Sequence, residues 1–148
     1  MLLGLGLVWQ LWLKPKPMLP ADIRQQLNFV TYLPKTGNLV KLDKSTIKYD
    51  KQSAVLSMVA TYQNNQVTIT EQAYPDVLIY DRLIGTLKQY DEVQTKTGKV
   101  ALTRPDAAEG AQVAVVSADN KTLVFVKTSK DLTKDEWLQF FNTLDATD

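Results

Sequence analysis

Between Ala54 and Gln72, two runs rich in apolar and β-branched residues flank the polar tetrad Gln63-Asn64-Asn65-Gln66. A tetrad with turn chemistry between such runs predicts a β-hairpin. In the first run Val55, Ser57, Val59 and Thr61 share one face, and Leu56, Met58, Ala60 and Tyr62 share the other. In the second, Val67, Ile69 and Glu71 alternate with Thr68, Thr70 and Gln72. The first run is apolar on both faces, which places it inside a sheet with cover on each side.

The rest of the chain reads as material laid against this hairpin. Its 148 residues are enough for one domain with a sizeable core. A content of 45% hydrophobic and 22% charged residues belongs to a folded rather than a disordered chain. The net charge of +1, with both signs interspersed, gives no footprint for nucleic acid. The chain has no Cys and no His. Thiol nucleophiles and thiolate metal sites are thereby excluded, and the usual zinc ligand and the usual general base near neutral pH are missing. No catalytic, cofactor-binding or metal-binding residues are assigned, and the expectation is a non-enzymatic protein without a cofactor.

Met1–Leu13 is apolar except for Gln10 and carries no charge before Lys14. As a helix it would span roughly 20 Å, short of the ~30 Å of a bilayer core. Three readings fit: the outer part of a transmembrane anchor, an uncleaved signal-like segment, or a buried helix of the domain. The flank favours the anchor. Lys14-Pro15-Lys16-Pro17 breaks a helix and favours an extended, stiff stalk, while Trp9 and Trp12 sit where aromatic rings gather at a bilayer interface. The division expected is therefore an anchor over 1–13, a stalk over 14–19 and a single domain over 20–148. It implies a single-pass cell-membrane protein with an extracytoplasmic head, touching the membrane through residues 1–13.

Within the head, Pro20–Leu27 reads as a short helix and Phe29–Leu33 as a strand closed by Pro34, followed by a turn at Lys35–Asn38. Leu39–Leu42 and Thr46–Tyr49 read as two short strands. After the central hairpin, Asp76 is the expected N-cap of a helix with Tyr80, Leu83, Ile84 and Leu87 on one side. Glu92–Thr95 with Lys99–Thr103, and Ala111–Ser117 with Thr122–Thr128, form two further hairpins. Thr133 and Glu136 make a T-x-x-E capping box, Leu132 and Trp137 a hydrophobic staple, and Trp137, Phe140, Phe141 and Leu144 an apolar stripe. The expected fold is α+β: an antiparallel sheet of about seven to nine strands from consecutive hairpins, with a C-terminal amphipathic helix and one or two shorter helices packed on it.

The order YLPKTGNL, VTITEQAYP, QTKTGKV and TLVFVKTSKDLTKDEWLQFFNTL resembles small bacterial extracytoplasmic domains of unknown function that follow a single membrane anchor. Related domains are appended to some anti-sigma factors and are distantly similar to the lipoprotein-carrier and sigma-regulator fold. The similarity spans Phe29–Leu144, with LPKTGN in place of the usual LPxGY opening. It implies an envelope protein partner or, alternatively, carriage of an apolar ligand such as an acyl chain, and it supplies no catalytic residues. A second resemblance, to small photosystem-associated and nuclear-import-type α/β/α sandwiches, rests on the YLP strand and the last helix.

Individual candidates read as structural. Glu71-Gln72 fits a solvated strand end better than a polar pair facing a pocket. Asp91 and Glu92, adjacent on a strand, point to opposite faces and cannot flank one bond. Ser57, Ser117 and the Ser129-Lys130 pair lack a recognisable base, and Asn120-Lys121-Thr122 fits turn chemistry better than a glycosylation site. Tyr32, Tyr49, Tyr62, Tyr74, Tyr80 and Tyr90 fit packing better than a ligand groove. Asp43, Asp50 and Asp76 lack calcium-loop spacing.

Overall fold

A computed structural model of the chain describes residues 19–35, 37, 39–105 and 112–147. In chain order the elements are α1 (Ala21–Gln26), β1 (Thr31–Pro34), β2 (Val40–Asp50), β3 (Val55–Tyr62) and β4 (Asn65–Ala73). They continue with α2 (Val77–Leu87), β5 (Gln89–Gln94), β6 (Lys99–Thr103), β7 (Gln112–Ala118), β8 (Thr122–Thr128), α3 (Lys134–Asn142) and β9 (Leu144–Thr147).

The central hairpin is β3–β4, and its loop is tighter than the tetrad implied. Tyr62 pairs with Asn65, so only Gln63 and Asn64 turn the chain, both left-handed at φ 50° and 63°. That is the backbone twist a two-residue hairpin loop needs, and Asn tolerates it better than most residues. The hairpin β7–β8 repeats the device with Asp119 and Asn120 at φ 52° and 54°. In β5–β6 the turn runs Thr95–Gly98, where Gly98 has φ 144°.

Seven strands form one antiparallel sheet in the order β2-β3-β4-β8-β7-β6-β5, and β1 pairs antiparallel with β9 in a separate two-stranded ribbon. The α+β class thus holds as a mostly antiparallel β structure with three helices among the described residues, one near the C-terminal end. Three expectations change. Leu39–Leu42 and Thr46–Tyr49 belong to one strand, β2, because Thr46 Oγ1 accepts the Val59 N–H at 2.8 Å and donates to the Asp43 carbonyl at 2.6 Å, carrying the pairing across a register shift between Asp43 and Lys48. Leu144 ends no helix; it opens β9, whose partner β1 lies far away in sequence. Among the described residues the longest helix is α2, with 11 residues against 9 in α3.

The core fills the sheet face bearing Leu56, Met58, Ala60, Tyr62, Val67, Ile69, Val100, Leu102, Ala114, Val116, Val124 and Val126, all at most 1% exposed. Trp137, Phe140 and Phe141 of α3 are fully buried with them, and Leu144 is 1% exposed. The Phe140 ring stands edge-on to Tyr62 at 5.6 Å, and the Tyr62 hydroxyl donates to the Glu136 carbonyl and to Gln139 Oε1 at 2.9 Å. The capping box is complete: Thr133 Oγ1 accepts the Glu136 N–H at 3.2 Å and Glu136 Oε1 accepts the Thr133 N–H at 3.0 Å. The staple residue Leu132 is buried too.

The N-terminal expectations need correction. Leu19, placed in the stalk, is buried in the core cluster. Met1–Leu13 and Lys14–Pro17 lie outside the described residues, and no helix among the described residues is long and apolar enough to cross a membrane. The single-pass transmembrane assignment and the cell-membrane location derived from it are withdrawn.

Denaturant unfolding should show Trp137→Ala costing about 3 kcal/mol or more, for its lost burial and the cavity left behind. Thr133→Ala should cost about 1 kcal/mol, for one orphaned helix amide. A third change tests the β5–β6 turn: a Cβ on Gly98 would meet Val116 Cγ2 at 3.1 Å and the Ser117 carbonyl at 3.3 Å. With its backbone also in glycine's region, Gly98→Ala should destabilise by about 1–3 kcal/mol in the same measurement.

Candidate functional site

The surface that stands out is helix α2. Pro75 cannot donate to a sheet ladder, which favours ending β4, and the Asp76 carboxylate accepts the Leu78 N–H at 2.7 Å to open the helix. It closes at Lys88, left-handed at φ 61°, whose N–H reaches the Gly85 carbonyl. Tyr80, Leu83, Ile84 and Leu87 are half-buried, as their helical spacing required. Tyr80 rests against Tyr74 with ring centroids 5.6 Å apart, and burial raises its phenol pKa, helped by Tyr74 and Asp81.

The first turn behaves otherwise. Val77, Leu78 and Ile79 are 58%, 71% and 55% exposed, and α2 has no buried residue. Beside the helix lies a half-open cleft of about 180 Å³, walled by Tyr80, Asp81 and Ile84 of α2, Gln89 and Glu92 of β5, and Lys99 and Ala101 of β6. Lys99 and Glu92 face each other across it at 3.5 Å. The walls mix charge and apolar surface, and the Lys99–Glu92 pair is more than half exposed to solvent. Further along β5, exposed Tyr90 lies 5.0 Å beneath the Arg104 guanidinium, which Asp131 grips with both carboxylate oxygens at 2.8 and 3.1 Å. The Tyr90 hydroxyl also accepts from the side-chain amide of buried Gln112, whose Oε1 takes the Leu132 N–H at 2.9 Å.

The sequence candidates scatter. Asp91 pairs with Lys134 at 2.9 Å and Glu92 with Lys99, on opposite sides of β5 as their adjacency required. Lys134 holds the Asp91 carboxyl below the usual carboxylate range. Ser57 and Ser117 are half-buried on strands, Ser129 and Lys130 are exposed, and Asn120 serves a turn. Tyr32 and Tyr62 are core residues; only Tyr74 and Tyr80 among the six tyrosines meet. Asp43, Asp50 and Asp76 accept local N–H groups of Ser45, Gln52 and Leu78. Among the described residues no group of three or more acidic side chains could hold a metal ion.

Glu71 departs from its expected place. It is not a solvated strand end but fully buried, with Oε1 accepting the Tyr32 N–H at 2.6 Å and Oε2 without a hydrogen-bond partner. Its position on the Val67/Ile69 face was the signal, and its charge obscured it. Gln72, the next residue, is half-buried on the other face.

Gln112→Ala removes the acceptor of a buried Leu132 N–H and the donor to Tyr90; thermal or denaturant unfolding should register a loss of about 1–3 kcal/mol.

Compared with protein-family models, curated proteins and solved structures, the chain matches none.

Proposed function

We propose that this domain works by binding or scaffolding a protein partner, without catalysis, and that the contact is made by the first turn of α2. The observation that carries the reading is three consecutive apolar side chains, Val77, Leu78 and Ile79, each more than half exposed on a helix whose start is fixed by the Asp76 cap. Exposed apolar clusters of this kind on an ordered element mark interaction sites. In this reading α3 is the amphipathic helix packed on the sheet to close its inner face, and α2 is left to present its own apolar residues outward. The absence of His and Cys from the chain supports a role without acid–base or thiol chemistry. The motif order shared with the anti-sigma-appended type of domain supports it as well, since that resemblance supplies no catalytic residues.

Carriage of an acyl chain would need an apolar cavity of roughly 300 Å³ or more. The cleft beside α2 is about 180 Å³ and has Asp81, Glu92 and Lys99 in its wall. The space between α3 and the sheet holds Trp137, Phe140, Phe141 and Tyr62. These observations favour the surface over the interior.

A photo-crosslinking residue at Leu78, in cells of the native host, should give a discrete heavier adduct that the same group at exposed Thr61 does not give. Introducing Val77→Asp and Ile79→Asp should abolish the adduct, with the folded stability changed by only about 1 kcal/mol in total. Equal labelling from both positions, or unfolding of the aspartate variant, would overturn the reading.

A further inference from the structure

The β1–β9 ribbon shares no backbone ladder with the large sheet, so its attachment depends on side chains. Three of them converge on β1. Glu71 of β4 accepts the Tyr32 N–H, the Tyr32 hydroxyl donates to Asp119 Oδ2 at 2.5 Å, and Thr122 Oγ1 donates to the Val30 carbonyl. Glu71 lies in the register between Leu56 of β3 and Val124 of β8, both fully buried, and its second oxygen is unpartnered. Of the titratable groups at this seam, Tyr32 faces Glu71: burial above all, then Asp119 and the Glu71 charge, hold its phenol above the ordinary value, so it stays neutral. Among the described residues no buried cation compensates Glu71 there: the hydrogen bond it receives comes from a backbone amide.

We propose that Glu71 is a proton-operated latch between the β1–β9 ribbon and the large sheet. Protonated, it stays dry in the seam and holds the Tyr32 amide. Ionised, it recovers its hydration only if β1 lifts at Tyr32 and admits water, because a lone carboxylate without a counter-charge is costly to keep buried. The amide of Tyr32 reports on this directly, since its hydrogen bond is to Glu71 itself.

Burial pushes the Glu71 carboxyl up from 4.5 to about 8, against the opposing pull of the Tyr32 N–H. A carboxyl whose closed-state value is raised gives stability that is whole below its free value and declines as pH rises toward its closed value. The opening equilibrium therefore climbs about tenfold per pH unit from about 5 to about 8 and levels off above that.

Amide hydrogen exchange on the full chain, corrected for intrinsic base catalysis, tests this. Tyr32 should be less protected than Val115 in the middle of β7, and its protection should fall about tenfold per pH unit between pH 5 and 8. In Glu71→Gln, which keeps the acceptor for the Tyr32 N–H, the slope at Tyr32 should vanish. Exchange of Tyr32 and Val115 in step would show global unfolding and overturn the latch, as would a slope that survives Glu71→Gln. Should that variant not fold, the side-chain carboxyl ¹³C shift of Glu71 in the unaltered protein decides. Titration near pH 8 supports the latch, and a midpoint in the ordinary carboxylate range overturns it.

Discussion

The rings of Tyr62, Trp137, Phe140 and Phe141 meet inside the sheet's inner face at centroid distances of 5.6, 6.2, 6.0 and 5.5 Å, several of them edge to face. Each buried aromatic side chain removes on the order of 200 Å² from water, worth roughly 5 kcal/mol by area. One defect comes with the cluster: the Trp137 indole N–H is buried without a hydrogen-bond partner. Leaving such a donor unmade costs about 1–3 kcal/mol, so burial of the ring prevails. A helix of 9 residues is too short to persist alone in water. The capping box defines where it begins, and the aromatic contact gives it a reason to stay folded.

Helix α2 is longer and is capped by Asp76, yet it buries no residue fully, and that contrast separates framework from surface. The sheet's edges offer partners little. On β2, Lys41, Lys44 and Lys48 are exposed and the register shifts. On β5 the register also shifts, at Tyr90, beside the ion-paired Asp91 and Glu92. Charges and irregular pairing are the usual means of blunting strand edges. With both margins blunted in this way, the apolar surface left exposed on an ordered element is the first turn of α2, where the partner contact is proposed.

Local chemistry made the hairpins and the last helix legible, because turn residues, alternation and the T-x-x-E box act over a few positions. The boundaries that failed were those set from a distance. Leu144–Thr147 has no strong strand signal of its own, and only Thr31–Pro34 opposite makes it a strand. The continuity of β2 depends on one hydroxyl, Thr46, answering a main-chain amide on the neighbouring strand. Glu71 was readable from alternation, but a carboxylate at a strand end weighs toward water until a dry seam from β1 is known to lie over it. The half-buried side of α2 was plain from its period, whereas Val77, Leu78 and Ile79 are apolar in type and more than half exposed, which hydrophobicity alone does not reveal.

The pairing of Thr31 with Thr147 has a consequence for biosynthesis. A ribosome extruding this chain releases every strand of the large sheet before it releases α3 or β9. Until then the sheet's apolar face has neither its aromatic plug nor the ribbon strand that docks beside it, and closing so wide a loop comes late because its entropy must be lost before its contacts form. Because the strand that joins β4 to β7 ends only at Thr128, the nascent domain is a half-covered sheet over the last stretch of its emergence, and in that interval, more than in the finished molecule, its apolar face stands open to water.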